Sequence, residues 1–155
     1  MGLDMYLEAK LYLSEYSGDK ELFEKAYELV PYKYPNSFKN VTLEFPVGYW
    51  RKVNWIHKWF VDNVQGGNDN CESYYVDLPM LEELRDLVSD LLDKKDIDQA
   101  LKDLPPQSGF FFGTTEIDSD TEKWYWDSLD QTKDILTQAI KLESSGCIIY
   151  YRANW

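Results

Sequence analysis

The chain opens on an alternation. From Leu3 to Leu13 every odd position is apolar (Leu3, Met5, Leu7, Ala9, Leu11, Leu13), while the even positions are mostly polar or tyrosine. A period of two places the odd set on one buried face of a strand. After a Ser-Gly-Asp turn the period lengthens: "KELFEKAYELV" spaces Leu22, Ala26 and Leu29 at helical intervals and stops before Pro31. A Pro/Asn/Lys-rich loop to about residue 40 leads into a second alternation at Val41, Leu43 and Phe45, which Pro46 is expected to terminate.

The pattern next predicts a helix from Trp50 to Val64, a loop at "QGGNDN" and a short strand at "ESYYV". Asp77 is placed to cap the helix "LPMLEELRDLVSDLL", whose Leu81, Leu84, Val88 and Leu91 form an apolar stripe. Residues 96–103 read as a short helix closed by Pro105 and Pro106, and "GFFFG" as a short buried strand. Ser119 and Glu122 have capping-box spacing ahead of a long helix to about Leu142, Gly146 can close that helix in a left-handed conformation, and "CIIYYR" is a terminal strand. With no internal repeat or linker, the whole chain, 1–155, reads as one α+β domain. Its sheet is small, mostly antiparallel or mixed, of four to five strands, with three to four helices packed on one face.

Composition narrows the function classes. The apolar runs are far shorter than the roughly 20 residues a membrane helix needs. The first ten residues, MGLDMYLEAK, do not resemble a secretory leader, so the reading is a cytoplasmic protein that binds no membrane. Cys71 and Cys147 are read as free thiols, with a disulfide between them left open. A net charge of −12 argues against direct binding to nucleic acid, because phosphate neutralisation needs clustered Lys and Arg.

The charge is uneven. Residues 31–60 carry Lys33, Lys39, Arg51, Lys52 and Lys58 against a single acid, Glu44. Inside that segment, "YWRKVNWIHKWF" also holds three of the six tryptophans and the only histidine. On a helical wheel Trp50, Val53, His57, Phe60, Val61 and Val64 share a core face; Arg51, Asn54 and Lys58 form a second stripe, and Lys52, Trp55 and Trp59 a third. Two readings follow. Either the tryptophans stack on a ligand ring while the cations hold its phosphate or carboxylate, or both are ordinary structure, the rings packed and the cations paired to neighbouring acids. His57 likewise reads as a buried core residue or a site residue. Two loops could complete a pocket: Asn70 in "GGNDNCESYY", and Gln107, Ser108 and Phe112 in "PPQSGFFFG".

Phosphate-loop, dinucleotide, zinc-protease, CxxC and EF-hand patterns are all missing from the sequence, and a single histidine rules out a multi-histidine metal site. No cofactor and no metal are therefore expected, and an enzyme is the minority reading. Its one candidate arrangement is Cys71 activated by His57.

The opening GLDMYL, with "YWRKVNWIHKWFVDNVQ", "DNCESYYV" and "LPPQSGFFFG", resembles a family of small uncharacterised proteins of bacteriophages and bacterial prophages. The resemblance spans most of the chain except residues 14–40 and 93–103. It implies a phage accessory protein in a bacterial host cell, acting against a host system. Two functions are thereby set against each other. The first is a binding protein that holds a small anionic, nucleotide-like ligand with Arg51, Lys52 and Lys58 and sequesters a defence signal. The second is an acidic interaction protein that blocks a basic, nucleic-acid-binding host protein by presenting carboxylates where DNA would sit. Homo-oligomerisation is open in both.

Overall fold

A computed structural model describes residues 2–32 and 39–155 of the chain. Most of the Pro/Asn/Lys-rich loop, Lys33 included, lies outside the described residues. Strands β1 (Asp4–Ser14), β2 (Asn40–Arg51), β3 (Tyr74–Val76) and β4 (Ile148–Asn154) form one sheet in the order β2-β1-β4-β3. Every neighbouring pair is antiparallel. The described helices are α1 (Lys20–Glu28), α2 (Asn54–Asn63), α3 (Leu78–Lys94), α4 (Ile97–Asp103) and α5 (Ser119–Ser144). The α+β class and the antiparallel four-stranded sheet are those the periodicities predict.

The register explains the core. β1 pairs Met5 with Ala153, Leu7 with Tyr151 and Ala9 with Ile149 of β4, so the odd positions of both central strands face the same way. Those six residues are at most 1% exposed. They join one cluster with α2, with Leu81, Leu84, Val88 and Leu91 of α3, and with α5. Each such large apolar side chain stabilises the fold by about 1.5–3 kcal/mol through its removal from water. The opposite face of the sheet carries charged and tyrosine side chains that pair with one another. Arg152 pairs with Glu8 at 2.9 Å while lying 4.2 Å from the Tyr6 ring centre, and Lys10 pairs with Glu44 at 3.1 Å and lies 5.1 Å from Tyr150.

Four local differences from the sequence pattern have physical causes. First, Pro46 does not end β2. The strand is at the sheet edge, where a missing N–H is tolerated, and the register slips beside it, from Leu7 opposite Gly48 to Glu8 opposite Pro46. β2 therefore runs on to Arg51 and takes Trp50 from the expected helix. Trp50 faces the core and its Nε1 donates to Thr132 Oγ1 of α5 at 2.9 Å. Lys52 then adopts φ 59° in the tight reversal before α2. Second, α1 turns Phe23 and Ala26, not Leu22 and Leu29, onto a small satellite core with Leu13; Leu29 is 81% exposed. Third, Asp118 rather than Ser119 caps α5, its carboxylate accepting from the amides of Asp120 and Thr121 while Thr121 Oγ1 accepts from the Asp118 amide. Fourth, "GFFFG" is a turn and not a strand, closed by the Phe112 amide donating to the Gly109 carbonyl at 3.3 Å.

Candidate functional site

The tryptophan-rich helix is core. Trp55 is fully buried, its Nε1 donates to Ser128 Oγ at 3.1 Å, and its ring packs against Trp124 and Tyr125 with centres 4.7 and 4.6 Å away. Trp59 is 7% exposed and packs edge-on to Phe60. Neither ring is placed to stack on a ligand, because both are buried among the residues of the core cluster. Lys58, expected to hold an anion, instead pairs with Asp62 one turn on at 2.7 Å. Asn70 turns its amide away to donate to the Tyr74 hydroxyl at 2.8 Å. Arg51 and Lys52 are exposed at and just after the end of β2, where Lys52 runs beside Gly113 and both side chains run beside Gly2.

Five of the other predicted residues converge on one corner of the molecule. Asn54, fully buried at the start of α2, clamps the loop after α4. Its Nδ2 donates to the carbonyls of Phe112 and Thr114 at 3.1 and 2.9 Å, and its Oδ1 accepts from the Gln107 amide at 3.2 Å. One turn along, His57 is fully buried with both ring nitrogens engaged, Nδ1 with the Tyr151 hydroxyl at 2.7 Å and Nε2 with Asp69 Oδ1 at 3.0 Å. Burial lowers the His57 pKa below its ordinary 6.5, against the pull of Asp69. Burial also raises the Tyr151 hydroxyl well above its ordinary range, so it stays protonated. A carboxylate can only accept, so the neutral ring carries its proton on Nε2 and takes the Tyr151 hydroxyl hydrogen on Nδ1. The chain Tyr151–His57–Asp69 thus joins β4, α2 and the loop after α2. It leaves no free ring nitrogen to activate Cys71, which is exposed while Cys147 is buried; both thiols are free.

Asp69 is where the polar network meets the surface. Beyond His57 it accepts from Gln107 Nε2 at 2.9 Å and from the Trp155 indole N–H at 3.1 Å. It opens into a hollow of about 220 Å³ walled by Ser108, Gly109, Phe110, Phe111, Phe112 and Trp155. Phe112 is folded inward, its ring filling the space over Gly109 so that a Cβ there would meet it at 2.5 Å. Phe110 is 93% exposed. Trp155 also lines a second hollow of about 230 Å³, together with Gly2, Asp4 and Asn154. Each hollow thus has one Asp in its wall, and among the described residues neither is lined by Lys or Arg, although the Arg51 and Lys52 side chains run beside Gly2 of the second.

Asp69, Trp155, Phe110 and Tyr151 are the members of this corner that the sequence patterns did not single out. Asp69 was hidden in a loop whose polarity is ordinary. Trp155 and Tyr151 acquire their roles only through the pairing of β4 with β1. Among the described residues no group of three or more His, Cys, Asp or Glu side chains could hold a metal ion, and no helix is long and apolar enough to cross a membrane. No protein-family model, curated protein or solved structure compared with the chain matches it.

Proposed function

We propose that this chain is an acidic interaction protein that binds a positively charged protein segment, with the corner around Trp155 as its docking point. One observation carries the reading: two hollows share Trp155, each has an Asp in its wall, Asp69 in one and Asp4 in the other, and among the described residues no Lys or Arg lines either. An aromatic wall beside a carboxylate attracts cations through both the ring quadrupole and the charge, and it repels anions. The net charge of −12 adds long-range steering of a basic partner. The resemblance to phage proteins supports a partner in the bacterial host, of the basic, nucleic-acid-binding kind that an acidic surface would keep from DNA.

The competing reading, an anionic nucleotide-like ligand, now depends on Arg51 and Lys52 at the flank of the same corner. A two-dimensional ¹H–¹⁵N titration separates the two. A short basic peptide should shift the resonances of Asp69, Phe110 and the Trp155 indole, with an affinity that weakens steeply with salt. A nucleoside triphosphate should leave them in place. Shifts at Arg51 and Lys52 with the nucleotide, and none with the peptide, would reverse the assignment.

A further inference from the structure

We propose that the Asp69 hollow is a receptor for an arginine side chain of the partner. Its guanidinium would pair with Asp69 and lie flat against the aromatic wall of Phe110 and Trp155. The inference rests on the function proposed above and names the group that the corner recognises.

The first argument is the electrostatic state of Asp69. Among the described residues its partners are the His57 ring, the Gln107 side-chain amide and the Trp155 indole, none of them a Lys or Arg. A neutral imidazole, an amide and an indole supply N–H groups but no compensating charge, so the carboxylate faces the hollow with its charge unpaired. Two of the three donors fall on Oδ1 and one on Oδ2, which leaves an acceptor direction on Oδ2 for an incoming N–H.

The second argument is shape. The hollow is walled by rings, with Phe112 and Trp155 6.0 Å apart between centres and Phe110 edge-on to Phe111 at 4.5 Å. Phe110 is left almost wholly in water. A planar, weakly hydrated cation with five N–H donors fits this combination; an ammonium, compact and strongly hydrated, would satisfy the carboxylate but not the rings. Covering Phe110 would also remove its apolar surface from solvent.

The test uses the full chain, titrated with the capped amides of arginine, lysine and citrulline and followed through the Trp155 indole resonance. Arginine should shift that resonance, lysine should bind several-fold more weakly, and citrulline, planar but uncharged, should not bind. Asp69→Asn should weaken arginine binding by about tenfold or more, as expected for loss of a charged hydrogen-bond partner. Phe110→Ala, a change at an exposed position that leaves the fold intact, should weaken it several-fold. Equal affinities for arginine and lysine, or arginine binding unchanged in Phe110→Ala, would overturn the proposal. If a basic peptide still bound with undiminished affinity to both variants, the interaction function would stand with its docking point elsewhere. If no basic peptide bound the wild-type chain, the function proposed above would fall with it.

Discussion

Two aromatic clusters in this protein have nearly the same chemistry and opposite fates. One is on α2, where Trp55 and Trp59 stand among Arg51, Lys52 and Lys58; the other is the turn of Phe110, Phe111 and Phe112 with Trp155. In the first, the rings are at most 7% exposed and each finds its contacts inside the fold, while Lys58 pairs locally with Asp62. In the second, Phe110 and Trp155 are 93% and 46% exposed and stand beside Asp69, which has no Lys or Arg partner among the described residues. The difference is one of position. α2 follows a tight reversal at Lys52 and buries Asn54 to His57 and Trp59 to Val61, leaving the side of Lys58 and Asp62 to solvent. The 109–113 turn is pinned from below by Asn54 and by the Leu3 amide on the Phe111 carbonyl, so its outer side has nothing to pack on. Aromatic density and neighbouring charge do not tell a site from a core; what covers the segment does.

That contrast can be broken most directly by truncating one ring from each cluster. Trp55→Ala should cost about 3–5 kcal/mol in urea unfolding, the usual range for deleting a fully packed large aromatic. Phe110→Ala should stay within about 0.5 kcal/mol of wild type, as exposed positions do. Comparable losses from both would mean that the turn is as much a part of the core as α2.

A smaller effect is expected where the two clusters are tied together. Asn54→Ala removes the donor to the Phe112 and Thr114 carbonyls and the acceptor for the Gln107 amide, leaving buried groups without partners at a cost of about 1–3 kcal/mol. Amide hydrogen exchange should speed up across residues 107–114 ahead of the rest of the chain. Uniform acceleration would show that the clamp serves global stability alone.

The His57 link gives a pH test. Its folded pKa lies below the ordinary 6.5 because burial disfavours the charged ring. The unfolded chain therefore binds the proton more readily, and stability rises with pH between the two values. The stabilisation is complete above about pH 6.5 and is lost as pH falls through the lowered folded value. Between neutral and mildly acidic pH, the urea midpoint of wild type should fall more than that of His57→Asn. Parallel curves would show that the ring's pKa does not change on folding, and a midpoint that falls less than that of His57→Asn would show that Asp69 holds the ring charged.

The smallest effect belongs to Lys58→Ala. Breaking a single exposed ion pair with Asp62 should change stability by less than about 0.5 kcal/mol and leave peptide binding unchanged. A loss of ligand affinity here would return function to the basic face of α2.

Much of the architecture was legible because it depends on periodicity. The odd residues of β1 and the Leu81–Leu84–Val88–Leu91 stripe of α3 lie where spacing alone puts them, since a one-sided strand or helix has a single way to bury its apolar face. Boundaries were less legible. Pro46 would stop an interior strand, and only the sheet order shows that β2 is an edge that tolerates it. The candidate site was half legible. Asn54, His57, Gln107, Ser108 and Phe112 were marked and do converge, because polar side chains flanking Gly and Pro turns are available for non-local contacts. Asp69 and Trp155 were not, since their meeting depends on chain segments far apart in sequence.

The amino-acid sequence by itself determined the class of fold, most of the strands and helices though not all their bounds, the faces of β1 and α3 that enter the core, and the acidic character of the whole. Those properties are set by local spacing and by composition, which need no partner segment to express themselves. The tertiary structure alone decided that the tryptophans of α2 are covered and that the phenylalanine turn is open. It also decided that Tyr151, His57 and Asp69 form one hydrogen-bonded chain ending beside Trp155. Burial and charge compensation are properties of what surrounds a side chain, and for these residues the surroundings are brought together only when β4 closes against β1.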